Sequence, residues 1–173
     1  MEWLPYRRQE AADYAREWAY GRNPAFYDYE TIGGDCTNFA SQCIYAGTGV
    51  MNYTPVFGWY YLDADDKAPA WTGVVFLHNF LVRKTPSPGP VCMVTQDLTM
   101  AEPGDVIQLL FDGKVFQHSP VVIDTDGSGD PAGIQVAAHS YDANCRPVNS
   151  YRYQQYRVLH ILGYYSDSDE QQI

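Results

Sequence analysis

The pattern of apolar and polar positions changes period partway along the chain. From Arg7 to Tyr20, Ala11, Ala15, Trp18 and Ala19 recur at helical spacing, Pro5 stands just before them and Gly21 follows as a cap. This spacing predicts an amphipathic helix. A loop of aromatic and turn residues, Asn23 to Gly34, leads into a second periodic segment from Cys36 to Gly47, with Asp35 at the N-cap position. A third runs from Thr72 to Arg83, with Val75, Phe76, Phe80 and Leu81 on its buried side. Pro86, Pro88 and Pro90 then end helical character, so Thr85 to Pro90 reads as a loop.

Beyond Pro103 the period falls to two. Strands are predicted over Asp105 to Phe111, Val115 to Asp124, Ile134 to His139 and Arg157 to Tyr164, the first two joined by an Asp112-Gly113 hairpin signal. Helices first and an antiparallel sheet afterwards define an α+β domain and not an alternating parallel-sheet fold. No linker or repeat divides the halves. The expected organisation is one domain over residues 1–165 and a polar tail over 166–173.

Composition narrows the function. The 173 residues are 46% hydrophobic and 18% charged, enough for one folded core. With 11 Lys and Arg against 21 Asp and Glu, the formal charge is -10, which argues against nucleic acid or an anionic membrane surface as partner. The most apolar stretch, Gly73 to Val82, is interrupted by His78 and Asn79 and is half of what a spanning helix needs, so no membrane segment is expected. Met1 to Tyr14 lacks the apolar block of a secretory signal. The expectation is a protein kept inside the cell, or one outside it if a leader has been removed.

Four cysteines without zinc spacing predict neither metal nor other cofactor. Cys36 and Cys43 lie two helical turns apart, about 10 Å of rise, too far for a bridge between them. The run Asp124 to Asp130 opens like a calcium loop, but its twelfth position is Gln135 and strands flank it, so it reads as a solvated turn. Together with Asp63, Asp65 and Asp66, that loop sets a surface field expected to favour neutral or cationic peptides over polyanions.

Candidate chemistry centres on Cys36. Gly33-Gly34 turns the backbone sharply into Asp35, and Cys36 then occupies the first turn of a helix, where unpaired amides and the helix dipole favour thiolate and can hold an oxyanion. Cys36 is therefore expected to be the most reactive thiol, with Cys43, Cys92 and Cys145 as small buried residues. A thiolate nucleophile needs a base. His118 and His139 lie on consecutive predicted strands that antiparallel pairing could bring together, whereas His78 and His160 read as structural. Tyr27, Tyr29, Trp59, Tyr60 and Tyr61 are candidates for lining a substrate groove, although core packing would use them equally well.

These residues carry a resemblance. Tyr14, Trp18, Asn23, Pro24, the run Gly33 Gly34 Asp35 Cys36 Thr37 Asn38 Phe39, then Ser41, Gln42, Ala46 and Gly47 resemble the putative amidase domain family, which is itself similar to NlpC/P60-like and wider papain-like cysteine peptidases. Trp71-Thr72, Gly104-Asp105-Val106, His118-Ser119 and Ala138-His139-Ser140 extend it over nearly the whole chain. The resemblance implies a papain-like fold and amide hydrolysis through a thioester. Cys36 would be the nucleophile, His118 the general base and His139 the group orienting it, with Asp142 in reserve. Backbone amides near Asp35 and Cys36, with a hydroxyl from Tyr29 or Tyr27, would serve the oxyanion. It implies peptide or peptidoglycan-stem substrates; the alternatives are acyl transfer by the same thioester, or a wall-binding module with an idle site. Two features depart from the pattern: Pro120 removes a ladder donor just after His118, predicting an edge or bulge, and the Asp124 to Gly133 loop is long.

Overall fold

The structure is a computed structural model and describes residues 1–167. Four helices lie in the first half: α1 (Arg8–Trp18), α2 (Cys36–Thr48), α3 (Pro69–Thr72) and α4 (Val74–Leu81). The strands are β1 (Glu2–Leu4), β2 (Gly89–Thr95), β3 (Val106–Leu110), β4 (Val121–Thr125), β5 (Ile134–Ala138), β6 (Ala143–Pro147) and β7 (Gln155–Ser166). They form one antiparallel sheet of order β1-β7-β3-β4-β5-β6, with β2 on the other side of β7. The α+β class and the order of helices before sheet are as the sequence predicts. Three strands are additional: β1, β2, which grows out of the presumed proline loop, and β6.

The centre of the sheet is buried on both faces, and period two sorts its residues between them. Val106, Val121, Leu159 and Ile161 face the helices with Ala11, Ala15, Phe39, Cys43 and Ile44. Their neighbours Ile107, Val122 and Val158 face a second core closed by Leu98, Val148 and Tyr151. Helix α2 is buried almost all round, at 11 of its 13 residues, because α1, α3 and the sheet enclose it. On α4 the buried residues are Leu77, Phe80 and Leu81, while Val75 and Phe76 are exposed, reversing part of the predicted face. The cause is α3, which ends at Gly73 and starts α4 in a new direction.

One buried polar cluster closes the sheet where β1 and β3 leave a gap beside β7. The Ile161 amide there donates to the Asp105 carboxylate at 2.9 Å, the Ile161 carbonyl accepts from the Arg8 guanidinium, and Arg8 and His160 pair with Asp105 at 2.7 and 2.8 Å. Asp105 is fully buried, so these contacts satisfy a carboxylate and two backbone groups that would otherwise be orphaned. This is the structural role expected of His160. Ser166 ends β7 and does not begin the polar tail; positions 168–173 of that expected tail lie outside the described residues.

Candidate active site

The turn before α2 is built around two glycines. Gly33 and Gly34 have φ of +88° and +99°, a region costly for any residue with a Cβ, and a Cβ on Gly34 would stand 3.1 Å from Ser140 Oγ. Asp35 occupies the N-cap position but does not cap α2 with its side chain, contrary to expectation. Its carboxylate faces inward, accepting from the Tyr29 amide at 2.9 Å and Asn38 Nδ2 at 2.8 Å, and lying 2.5 Å from His139 Nδ1. Burial works to raise the Asp35 pKa, but His139, Asn38 and the Tyr29 amide outweigh it, and the group ends below the usual carboxylate range.

His139 follows the end of β5, stacked on Phe39 with ring centroids 4.0 Å apart. Its other nitrogen lies 2.8 Å from the Trp18 carbonyl. Both nitrogens are thus engaged, and neither contacts His118. Asp142, the reserve candidate, is bound by Arg22 at 3.0 and 3.1 Å. Tyr29 donates its hydroxyl to the Ala64 carbonyl, and the Asp35 amide donates to Ser140 Oγ. Hence Cys36 and His118 are brought together on one cavity, while His139, Asp35 and Tyr29 form the support behind it.

That cavity measures about 710 Å³ and is lined by Cys36, His118, Gly33, Gly34, Ser140, Tyr141, Arg146, Tyr151 and Arg152, among others. The five aromatic groove candidates are elsewhere, and Trp59 belongs to the core. His118 reaches the site through a bulge: the Gln117 and His118 amides both donate to the Leu109 carbonyl, so two residues oppose one, just ahead of Pro120. The opposite rim is the turn Ser140-Tyr141, whose φ values of +60° and +64° are strained for non-glycine residues. Ser140 is held there by Glu30, which accepts from its amide and lies 3.3 Å from its hydroxyl.

Protonation states follow from burial. Burial pushes the Cys36 thiol up, only partly offset by the Thr37 hydroxyl at 3.7 Å and by the amides of Ser119 and Thr37. The expected depression by the helix start is therefore outweighed. Burial, with the Arg146 cation second, pushes His118 down to about 4. At neutral pH the pair is a neutral thiol and a neutral imidazole. A buried polar chain continues behind Cys36, with Thr37 Oγ1 3.2 Å from Ser119 Oγ, which in turn accepts from Gln108 at 3.3 Å.

Cys43 and Cys92 are buried as expected, but Cys145 is exposed on β6. Iodoacetamide at neutral pH should therefore modify Cys145 first and Cys36 slowly, as read by peptide mapping; Cys36 labelled ahead of Cys145 would show that the free protein already holds a thiolate. In the Asp124 to Asp130 loop, Asp126 accepts from Ser128 and Asp130 from the Ala132 amide, and among the described residues no group of three His, Cys, Asp or Glu is gathered as metal ligands. No helix among them is long and apolar enough to cross a membrane.

Fold and cavity define an α+β domain in which a thiol at the start of a helix and an imidazole from the sheet, contributed by opposite halves of the chain, open on one cleft. The chain belongs to the putative amidase domain family, whose pattern matches residues 5–162. It is also similar to the uncharacterized protein YhbB of Bacillus subtilis (strain 168), at 31% identity over 144 residues that make up 82% of this chain and 43% of that protein. The chain thus spans less than half the length of the curated relative it matches. No solved structure matches it. Membership of this family points to amide hydrolysis as the reaction.

Arg146, Tyr151 and Arg152 are among the cavity residues that sequence reasoning missed. They lie on and just beyond β6, a strand whose sequence, Ala-Asn-Cys-Arg-Pro, has no alternating apolar signal.

Proposed function

We propose that this domain hydrolyses amide bonds of peptide or cell-wall peptide substrates through a thioester on Cys36, on a papain-like plan. The observation that carries the reading is the shared cavity of Cys36 and His118, with the thiol at the start of α2 and the imidazole free of protein hydrogen bonds among the described residues. His118 takes the thiol proton as sulfur attacks the carbonyl carbon. The first amides of α2, which have no intrahelical partner, lie where the oxyanion develops. The tetrahedral species collapses to a thioester as His118 returns the proton to the leaving amine. Water, deprotonated by His118, then cleaves the thioester and regenerates the thiol. His139 acts as a positioning residue: by holding Asp35 it fixes the glycine turn that aims Cys36.

The pH dependence tests the roles. A base held near 4 keeps its lone pair throughout the neutral range and loses it as pH falls through 4, so kcat/KM should hold from pH 7 to about 5 and drop below. Because the thiol is neutral at rest, the rate should not fall on the alkaline side until well above pH 8. An acid limb near 6.5, the ordinary histidine value, would place the base outside this buried site.

A further inference from the structure

Although the chain carries an excess of ten negative charges, one wall of the Cys36 cavity is cationic. Arg7, Arg8, Arg16 and Arg22 all pair with carboxylates. Arg146 and Arg152, both lining the cavity, have no carboxylate partner among the described residues. Arg152 is exposed. Arg146 spends Nε and Nη2 on Ser150 and lays its guanidinium 3.6 Å from the centre of the Tyr151 ring, leaving Nη1 uncommitted. Tyr151 is buried, and among the described residues its hydroxyl has no hydrogen-bond partner within 3.5 Å, the Arg146 cation beside it being the polar group that acts on it. A buried donor of this kind is rare in a folded protein and points to an acceptor brought by a ligand. Glu30, the acid on this cavity, is tied to Ser140 and lies 3.6 Å from Arg22.

We propose that Arg146, Arg152 and Tyr151 form a carboxylate-binding wall, so that the preferred substrate carries a free carboxylate beside the scissile amide. Two guanidinium groups and a phenol supply donors suited to a planar, two-oxygen acceptor. The wall is close to the reacting groups, because the Tyr151 and His118 rings are 5.6 Å apart. The local charge thus opposes the whole-surface field, which by itself favours neutral or cationic peptides. A linked effect follows, since Arg146 helps to hold His118 down. A carboxylate seated on Arg146 cancels part of that field, so in kcat, which reports the substrate complex, the acid limb should lie at higher pH for carboxylate substrates than for their amide analogues.

The inference rests on the amidase reading, and the experiment separates the two. Blocked tetrapeptides with Glu, Gln or Lys at each position in turn are assayed for cleavage by the wild-type protein and for binding to Cys36→Ala by calorimetry. The expected result is one position at which Glu exceeds Gln by at least tenfold in both, with Lys weakest, and with the Glu advantage shrinking as salt rises. Arg152→Gln, which breaks no side-chain hydrogen bond or ion pair among the described residues, and Arg146→Gln should each reduce the Glu-to-Gln ratio severalfold. Equal or tighter binding of Gln and Lys peptides at every position, or a ratio untouched in Arg152→Gln and Arg146→Gln, overturns the carboxylate wall. A Glu preference in binding without cleavage by the wild type supports the wall and overturns the hydrolase reading.

Discussion

Cys36→Ser is expected to lower amide turnover by about three orders of magnitude or more, with the fold unchanged. Serine keeps the size of the side chain and can replace the 3.7 Å contact to Thr37, so circular dichroism and the unfolding midpoint should match the wild type. What is lost is nucleophilicity. His118 is a weak base, at about 4, and can draw a proton from a thiol as the carbon–sulfur bond forms far more readily than from an alcohol. His118→Gln, which fills a similar volume without a basic nitrogen, should cost about 100-fold to 10,000-fold in kcat. The two defects should not add, because each removes the same step. Cys36→Ser with activity within tenfold of wild type would end the thioester proposal.

Asp35→Ala should have the largest effect on stability, about 3–5 kcal/mol, as expected for removing a buried carboxylate that several buried donors share. The carboxylate is 1% exposed and serves Tyr29, Asn38 and His139 together, with Arg22 3.8 Å away. Losing it leaves a buried imidazole, an amide donor and a backbone N–H without their acceptor. Urea unfolding measures the loss, which corresponds to roughly 10 °C or more in Tm for a domain of this size. Because the Asp35 pKa is lowered in the folded state, its contribution is present above the unfolded carboxylate value and disappears as pH falls through the folded one. The wild type and Asp35→Ala should therefore converge in stability in strong acid. His139→Ala should show a smaller loss, and a double-mutant cycle with Asp35→Ala should give a clear coupling energy. A cost below 1 kcal/mol for Asp35→Ala would mean that the turn before Cys36 is held by its glycines alone.

Much of the fold is legible in the chain because its signals are local. Helix α2 starts where a glycine pair meets Asp35 and ends near Gly47, and the strand period after Pro103 is plain. Pro120 announces the bulge that delivers His118. Strand β2, Gly-Pro-Val-Cys-Met-Val-Thr, escapes because it begins inside the proline stretch, and β6, Ala-Asn-Cys-Arg-Pro, because it has no alternating apolar signal; β7 and β5 beside them make them strands. The exposed Val75 and Phe76 are misjudged for a related reason. Their side of α4 depends on the direction α3 imposes, not on their own hydrophobicity.

The site divides along the same line. By itself the sequence determined that a thiol stands at the start of a helix and that a histidine follows in the sheet half of the chain, since both depend on turns and periods only a few residues long; the expected strand over Val115 to Asp124 shortens to β4, which leaves His118 in the bulge ahead of it. Tertiary structure decided which partners those groups meet. It engaged both nitrogens of His139 with Asp35 and Trp18, 104 and 121 residues away, sent the Tyr29 hydroxyl to Ala64, and placed on the cavity wall of an acidic protein two arginines that have no carboxylate partner among the described residues. It also reversed the expected state of Cys36, because helix-end amides act over one turn whereas desolvation depends on everything packed around the thiol. Contacts between residues a hundred positions apart leave no trace in local pattern, and the burial that keeps Cys36 and His118 neutral exists only once those contacts have closed.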